Sequence, residues 1–379
     1  MSYRIPWAKP YIGEEEIEVV TATLRAGRLS MGAEVAAFER EVASFSGRRH
    51  ATAVSNGTVA LDVALQLAGI GSGDEVLVSS LSYIATTNSI LRAGAVPVFC
   101  DVEPVTLNLD PADAGRRITP RTRGLLAADY CGSSLQHAQL EAMCDAHGLT
   151  MVLDGAQSMG TLHAGRPALS YGTIATTSFH TAKAFLCGEG GMVLCDDPNL
   201  AERCRRLRGQ GEVPGRKYVH DVFASNHRIT ELAAAIGRVQ LGRAPEVLAR
   251  RREILARYDA ALAAEPLITP VGHLAGSQPA GFSYAVQVPE RDLVATMLDG
   301  VGIETRSLYP LPAYRQPMPE YAPYAEEQRP CAEAASATVL NLPVFFELTD
   351  AEIDDVADTL VTAVGVATAQ PVAVQPVAA

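Results

Sequence analysis

The feature that most restricts the fold of this chain is the rhythm of residues 50–200, where short apolar runs alternate with helix-like segments. Residues 51–55, 75–80, 96–102, 124–130 and 149–154 read as strands, and residues 57–67, 84–92 and 135–147 as helices. Parallel strands need a long crossover, usually a helix, and the helices then cover both sheet faces. Two further strands are expected at 174–179 and 191–195, on either side of a loop. The expected class is therefore α/β, with a mainly parallel central sheet sandwiched by helices.

At 379 residues the chain exceeds what one small core organises. Residues 1–245 are expected to form a large domain that includes the N-terminal segment. Residues 246–365 are expected to form a smaller α/β domain, and the Ala-, Val-, Pro- and Gln-rich residues 366–379 a disordered tail. Thr230 reads as a helix cap, and Arg250, Arg251 and Arg252 as a solvated helix face. The net charge of −12 argues against a nucleic-acid surface. Seven cysteines without a C-x-x-C pair, and no histidine cluster, argue against zinc or a disulfide framework and for reduced, mostly buried thiols. With no apolar leader or membrane-length run, a cytoplasmic protein is expected.

Only three of the 31 basic residues are lysines: Lys9, Lys183 and Lys217. A lysine kept in an arginine-rich chain invites a chemical reason, because an amine can lose its proton and attack a carbonyl whereas a guanidinium stays charged. Lys183 follows a strand, among small and apolar residues and before the turn Gly188-Glu-Gly-Gly. Desolvation there favours the neutral, nucleophilic amine; a surface loop lysine is the competing reading. Asp154 ends an apolar strand, where open α/β sheets place their ligands. A carboxylate there can keep a pyridinium nitrogen protonated, or can simply cap a helix. Ser55-Asn-Gly57-Thr58 turns from a strand into a helix, so its free N–H groups suit a phosphate, or Ser55 or Asn56 merely caps. Ser178 offers a second phosphate hydroxyl and Gln157 an amide suited to a ring hydroxyl, though alone it signals nothing. Tyr83 offers a ring either to stack on a planar cofactor or, as such a tyrosine more often does, to pack in the core.

In this order the motifs resemble the DegT/StrS-type sugar aminotransferases, pyridoxal-phosphate enzymes of fold type I. The resemblance runs from Lys9-Pro-Tyr-Ile-Gly-Glu through Phe38-Glu-Arg-Glu, Gly71-Ser-Gly-Asp-Glu-Val and Ala95-Val-Pro-Val-Phe. It continues through Leu232-Ala-Ala-Ala-Ile-Gly and Gly302-Ile-Glu-Thr-Arg to Asn341-Leu-Pro-Val-Phe and Leu348-Thr-Asp-Ala-Glu-Ile. It implies pyridoxal 5′-phosphate on Lys183 as a Schiff base, with Asp154 at the pyridine nitrogen and Gln157 near the ring hydroxyl. Tyr83 then lies over the ring, and Gly57, Thr58 and Ser178 on the phosphate. Asn226 matches an asparagine that reaches the phosphate from a partner subunit, which implies a homodimer with shared sites. The chain departs from the family pattern at Met159, Arg208-Gly-Gln-Gly, Ala224-Ser225 and Leu308-Tyr-Pro-Leu-Pro, positions that bear on the acceptor rather than the cofactor.

The implied reaction moves an amino group from L-glutamate or L-glutamine to a keto sugar. A nucleotide-linked keto-deoxysugar is the expected acceptor, and a keto-cyclitol of aminoglycoside type the alternative. The family's deoxysugar dehydratases carry histidine in place of the lysine, so Lys183 argues against them. A non-catalytic regulatory protein on this fold would not need the lysine, aspartate and phosphate turn together. Gly69-Ile-Gly71-Ser-Gly73 follows a helix and precedes a strand, the reverse of a dinucleotide fingerprint.

Overall fold

A computed structural model describes residues 3–369. Its centre is a seven-stranded sheet with the order His50–Val54, Gly191–Cys195, Ile174–Ser178, Thr150–Asp154, Thr122–Ala128, Glu75–Ser79 and Val96–Cys100. All neighbours are parallel except the pairs made by Gly191–Cys195, which runs against the other six strands. Side chains alternate between the faces, and both faces are apolar. Leu77, Leu125, Ala127, Met151 and Leu153 join one buried cluster, whereas Val76, Val78, Leu126 and Val152 join the cluster on the other side. This double burial explains why the strands read as unbroken apolar runs.

The helices Ala33–Phe45, His137–His147 and Glu231–Gly242 feed the first cluster, and Gly57–Leu67, Ile84–Arg92 and Pro198–Arg208 the second. Side-chain caps set the starts of Gly57–Leu67 and Glu231–Gly242. The Asn56 side chain accepts a hydrogen bond from the Val59 N–H at 2.9 Å, and Thr230 Oγ1 one from Ala233 at 3.1 Å. The glycines at 69, 71 and 73 make the turn between a helix and the strand Glu75–Ser79.

A smaller α/β core lies toward the C-terminus, around the antiparallel strands Thr269–Pro270, Tyr284–Gln287 and Val339–Leu342. The helix Ala244–Leu262 serves both cores: Val247 and Leu248 pack into the first, Ile254, Leu255 and Tyr258 into the smaller one. The N-terminal segment, expected with the large domain, contributes Ile5 to the smaller core. Residues 366–369, expected in the tail, instead continue the helix Asp350–Ala369, because Ala363, Val364 and Ala367 keep a helical apolar stripe on the core. The rest of that tail, residues 370–379, lies outside the described residues.

The arginine triplet departs further from expectation. Arg251 is buried; its guanidinium donates to the carbonyls of Gly281 at 2.7 Å and Val344 at 3.2 Å. Arg252 donates to the carbonyls of Pro279 and Gly160, and only Arg250 meets carboxylates, those of Glu253 and Asp350. Three consecutive helical residues span about 200° of the helix circumference. On a helix packed on two sides they cannot all face water.

Among the described residues no helix is long and apolar enough to cross a membrane. All seven cysteines are free, and six of them are buried.

Candidate active site

The strands that run in the common direction end on one side of the sheet, and there a cavity of about 720 Å³ opens. Its lining brings together Gly57, Thr58, Tyr83, Asp154, Gln157, Ser178 and Lys183. Of the residues singled out from the sequence only Asn226 stands elsewhere: it is exposed, pairs with Gly209, and accepts from the Arg228 N–H through its own side chain.

Asp154 terminates the middle strand of the sheet and is 7% exposed. Its Oδ2 accepts from Thr86 Oγ1 at 2.7 Å, and its Oδ1 from the Ala156 N–H at 3.1 Å. Burial pushes the carboxyl above its ordinary value, against those two hydrogen bonds and the nearby Lys183 charge. A cationic N–H in the cavity would reverse that penalty. Asp129 ends the adjacent strand in the same manner, yet its carboxylate is committed to the protein. It meets His137 Nε2 and the Leu135 N–H at 2.9 Å each, and Ser158 Oγ. Two aspartates at equivalent strand ends thus differ in what they have left to offer a ligand.

Lys183 is half-buried in the cavity wall, with its Nζ 4.6 Å from the centroid of the Phe282 ring. Burial lowers its pKa to about 8, partly opposed by the charge of Asp154. The neutral, nucleophilic amine is therefore more accessible than for a lysine in water.

Gly57 opens the helix Gly57–Leu67 beside Ser178, and a Cβ at Gly57 would come within 2.8 Å of Ser178 Cβ. A Cβ at Gly191 would collide with the backbone carbonyl of Asn56. Glycine at both positions lets the strand end and the helix start approach each other. The N–H groups of Gly57 and Thr58, in the first turn of the helix, have no helical carbonyl to reach, and Ser178 lines the same cavity. Those donors fit a phosphate, the buried carboxylate a ring nitrogen and the amine an aldehyde, so the donor set suits pyridoxal phosphate.

Further lining residues escaped the sequence reading. Trp7 and Phe282 meet edge to face at 5.6 Å, and Tyr309 accepts a 2.6 Å hydrogen bond from Gln157 Nε2. Nothing local marks Trp7 or Phe282, and Tyr309 stands out only as part of the segment Leu308-Tyr-Pro-Leu-Pro, where the chain departs from the family pattern. Thr86 and Asp129 did carry a signal: Thr86 stands in the first turn of the helix after Tyr83, and Asp129 at a strand end like that of Asp154.

The sequence matches the DegT/DnrJ/EryC1/StrS aminotransferase family over residues 10–361. It is 37% identical to GDP-perosamine synthase of Caulobacter vibrioides, over 94% of this chain and 97% of that protein. The structure of S. venezuelae DesV in complex with a ketimine intermediate superposes with a TM-score of 0.88 at 35% identity, covering 92% of this chain and 94% of that one. The PLP form of the putative sugar aminotransferase Spr1654 from Streptococcus pneumoniae gives a TM-score of 0.91 at 26% identity, covering 96% of this chain and all of that one. The fold, the cavity at the strand ends and these likenesses agree: the chain belongs to the DegT/DnrJ/EryC1/StrS aminotransferase family and is a pyridoxal-phosphate-dependent sugar aminotransferase.

Proposed function

We propose that the enzyme passes an amino group from L-glutamate or L-glutamine to the carbonyl of a nucleotide-linked keto-deoxysugar, in amino-sugar biosynthesis. The observation that carries this reading is a single cavity holding a lysine of lowered pKa, a buried aspartate with acceptor capacity to spare, and a helix-start phosphate cradle. Pyridoxal phosphate, when bound, supplies an electron sink for the pair left at the donor α-carbon when its proton departs. Lys183 Nζ would hold the cofactor aldehyde and serve as the base that moves the α-proton. Asp154 accepts the ring N–H and keeps it protonated. Gly57, Thr58 and Ser178 would hold the phosphate, Gln157 would lie near the ring hydroxyl, and Tyr83 would cover the ring.

The protein works as a homodimer in this reading, in the cytoplasm. The exposed hairpin of Glu212–Val213 and Arg216–His220, followed by Phe223 at 96% exposure and then Asn226, is an arm suited to reach a second copy. The arm also bears on the acceptor. Within one chain the described cavity wall has only Lys183 and His180 as basic residues, against Asp129, Asp154 and Glu189. A nucleotide diphosphate needs more positive charge, and Arg216 and Lys217 stand exposed on the hairpin. The same scarcity of cations favours the second reading, an uncharged keto-cyclitol.

The purified holoenzyme should be yellow, and glutamate or glutamine should bleach it. Assays against nucleotide keto-sugars and keto-cyclitols then choose the acceptor. Turnover of a nucleotide keto-sugar that falls on Arg216→Ala/Lys217→Ala supports the first reading. Turnover confined to cyclitols, indifferent to that change, selects the second. A protein that stays colourless after incubation with pyridoxal phosphate would end both.

A further inference from the structure

A closed ring of hydrogen bonds joins the cavity to the smaller core. Gln157 Nε2 donates to the Tyr309 hydroxyl at 2.6 Å, and Gln157 Oε1 accepts from the Cys131 N–H at 2.8 Å. Cys131 Sγ in turn accepts from Asn341 Nδ2 at 3.1 Å and from Ser283 Oγ at 3.3 Å. Asn341 Oδ1 accepts from the N–H of Leu308 at 3.3 Å, and the Asn341 backbone exchanges two hydrogen bonds with Arg306. Leu308 precedes Tyr309, which closes the ring.

Two of its members sit in strained backbone. Cys131 has φ +52° and Tyr309 φ +59°, the left-handed region that non-glycine residues seldom occupy. Such strain persists only where surrounding contacts enforce it, and it gathers at functional sites. Here Asn341, fully buried in the strand Val339–Leu342, supplies those contacts. The Tyr130 ring, edge-on to Tyr309 at 5.8 Å, helps to fix the phenol.

The phenol accepts from Gln157, so its own proton is free, and no group of the described chain takes it. Burial raises the Tyr309 pKa, so the proton is retained through neutral pH. The cavity thus contains a positioned O–H donor that no protein group among the described residues satisfies and that faces the space a ligand would fill.

We propose that Tyr309 is a ligand-binding residue of the amino-transfer site, donating a hydrogen bond to an oxygen of the bound cofactor or sugar beside Gln157, and that Asn341 positions it. The inference rests on the aminotransferase reading above. Its test is Tyr309→Phe, which removes one oxygen and leaves the ring packing in place. If the partner oxygen belongs to the cofactor, the substrate-free variant binds pyridoxal phosphate about tenfold more weakly, and the pH titration of its visible band shifts. If the oxygen belongs to the sugar, band and affinity stay as in the wild type, and KM for the acceptor rises about tenfold with kcat changed less. Cofactor affinity, band titration and acceptor KM all within twofold of wild type would overturn the proposal.

For Asn341, Asn341→Ala should reproduce whichever signature Tyr309→Phe shows. The double variant should be no worse than the poorer single one, because both act through one hydroxyl. Additive losses would refute the positioning role. If Asn341→Ala does not fold, Cys131→Ala breaks the same link at its other end and is read in the same way. A wild-type protein that takes up no pyridoxal phosphate defeats the aminotransferase reading and this inference together. A normal wild type with an indifferent Tyr309→Phe defeats this inference alone.

Discussion

Lys183 and Arg251 are both basic residues partly or wholly withdrawn from water. The first is half-buried in the loop at the strand ends, the second buried in the helix shared by the two cores. Among the described residues neither forms an ion pair with a carboxylate. Burial lowers both pKa values, that of Lys183 to about 8 and that of Arg251 to about 10. The outcomes differ because the residue types start from different values. The amine is brought to where it can be neutral and nucleophilic, whereas the guanidinium stays charged at pH 7 and spends its N–H groups on the carbonyls of Gly281 and Val344. Withdrawal from water thus leaves the half-buried amine able to act as the proposed nucleophile and the buried guanidinium a structural clamp.

Exchanging the residue types is the most direct attack on this comparison. Lys183→Arg keeps a positive charge and removes the removable proton. Turnover should fall by about 10³-fold or more, and the variant should be colourless with pyridoxal phosphate. If Lys183→Arg retained wild-type transamination, the distinction drawn here would fail. Arg251→Ala should instead cost about 3 kcal/mol of stability in urea unfolding, since it leaves two buried carbonyls unpaired and opens a cavity. Turnover per folded molecule should hardly change. A variant as stable as wild type would show that the clamp contributes nothing.

The mildest test uses pH alone. The amine of the cofactor-free protein must be neutral to react, and its pKa is lowered to about 8. The rate of pyridoxal phosphate incorporation should then rise about tenfold per unit well below pH 8 and level off above it. Stability follows the same titration. The folded state holds the charged amine less readily than the unfolded chain does, so Lys183 penalises folding most below pH 8, and the penalty fades as pH rises toward the ordinary lysine value. Stopped-flow absorbance between pH 6 and 9.5 reads the first effect, and a rate that stays flat across that range would place the controlling proton elsewhere.

The structure bears out the sequence reading where the information is local. The helix expected at residues 57–67 is found as Gly57–Leu67, capped by Asn56. The continuous apolar runs announce strands buried on both faces, because such strands have no polar face to alternate with. Asp154, Ser178 and Gly57 lie at the ends of those elements, so placing the elements nearly places them. Asn226 carried no local signal beyond the family resemblance, and within one chain it stands away from the cavity.

Other features lie beyond a local window. Trp7, Phe282 and Tyr309 reach the cavity from segments far apart in the chain, and residue type alone does not separate them from core aromatics. Asp129 and Asp154 present the same pattern to a reader of the sequence. Only the arrival of His137, Leu135 and Ser158 around one of them decides which carboxylate is still available. Arg251 shows the same limit, since its burial depends on a helix being packed on two sides. What the sequence determined by itself is the α/β sheet, its helix starts and the residues at its strand ends, because propensity, periodicity and capping act over a few residues. Only the tertiary structure decided which of those residues remain free to bind, because hydrogen-bond partners and desolvation are supplied by distant segments.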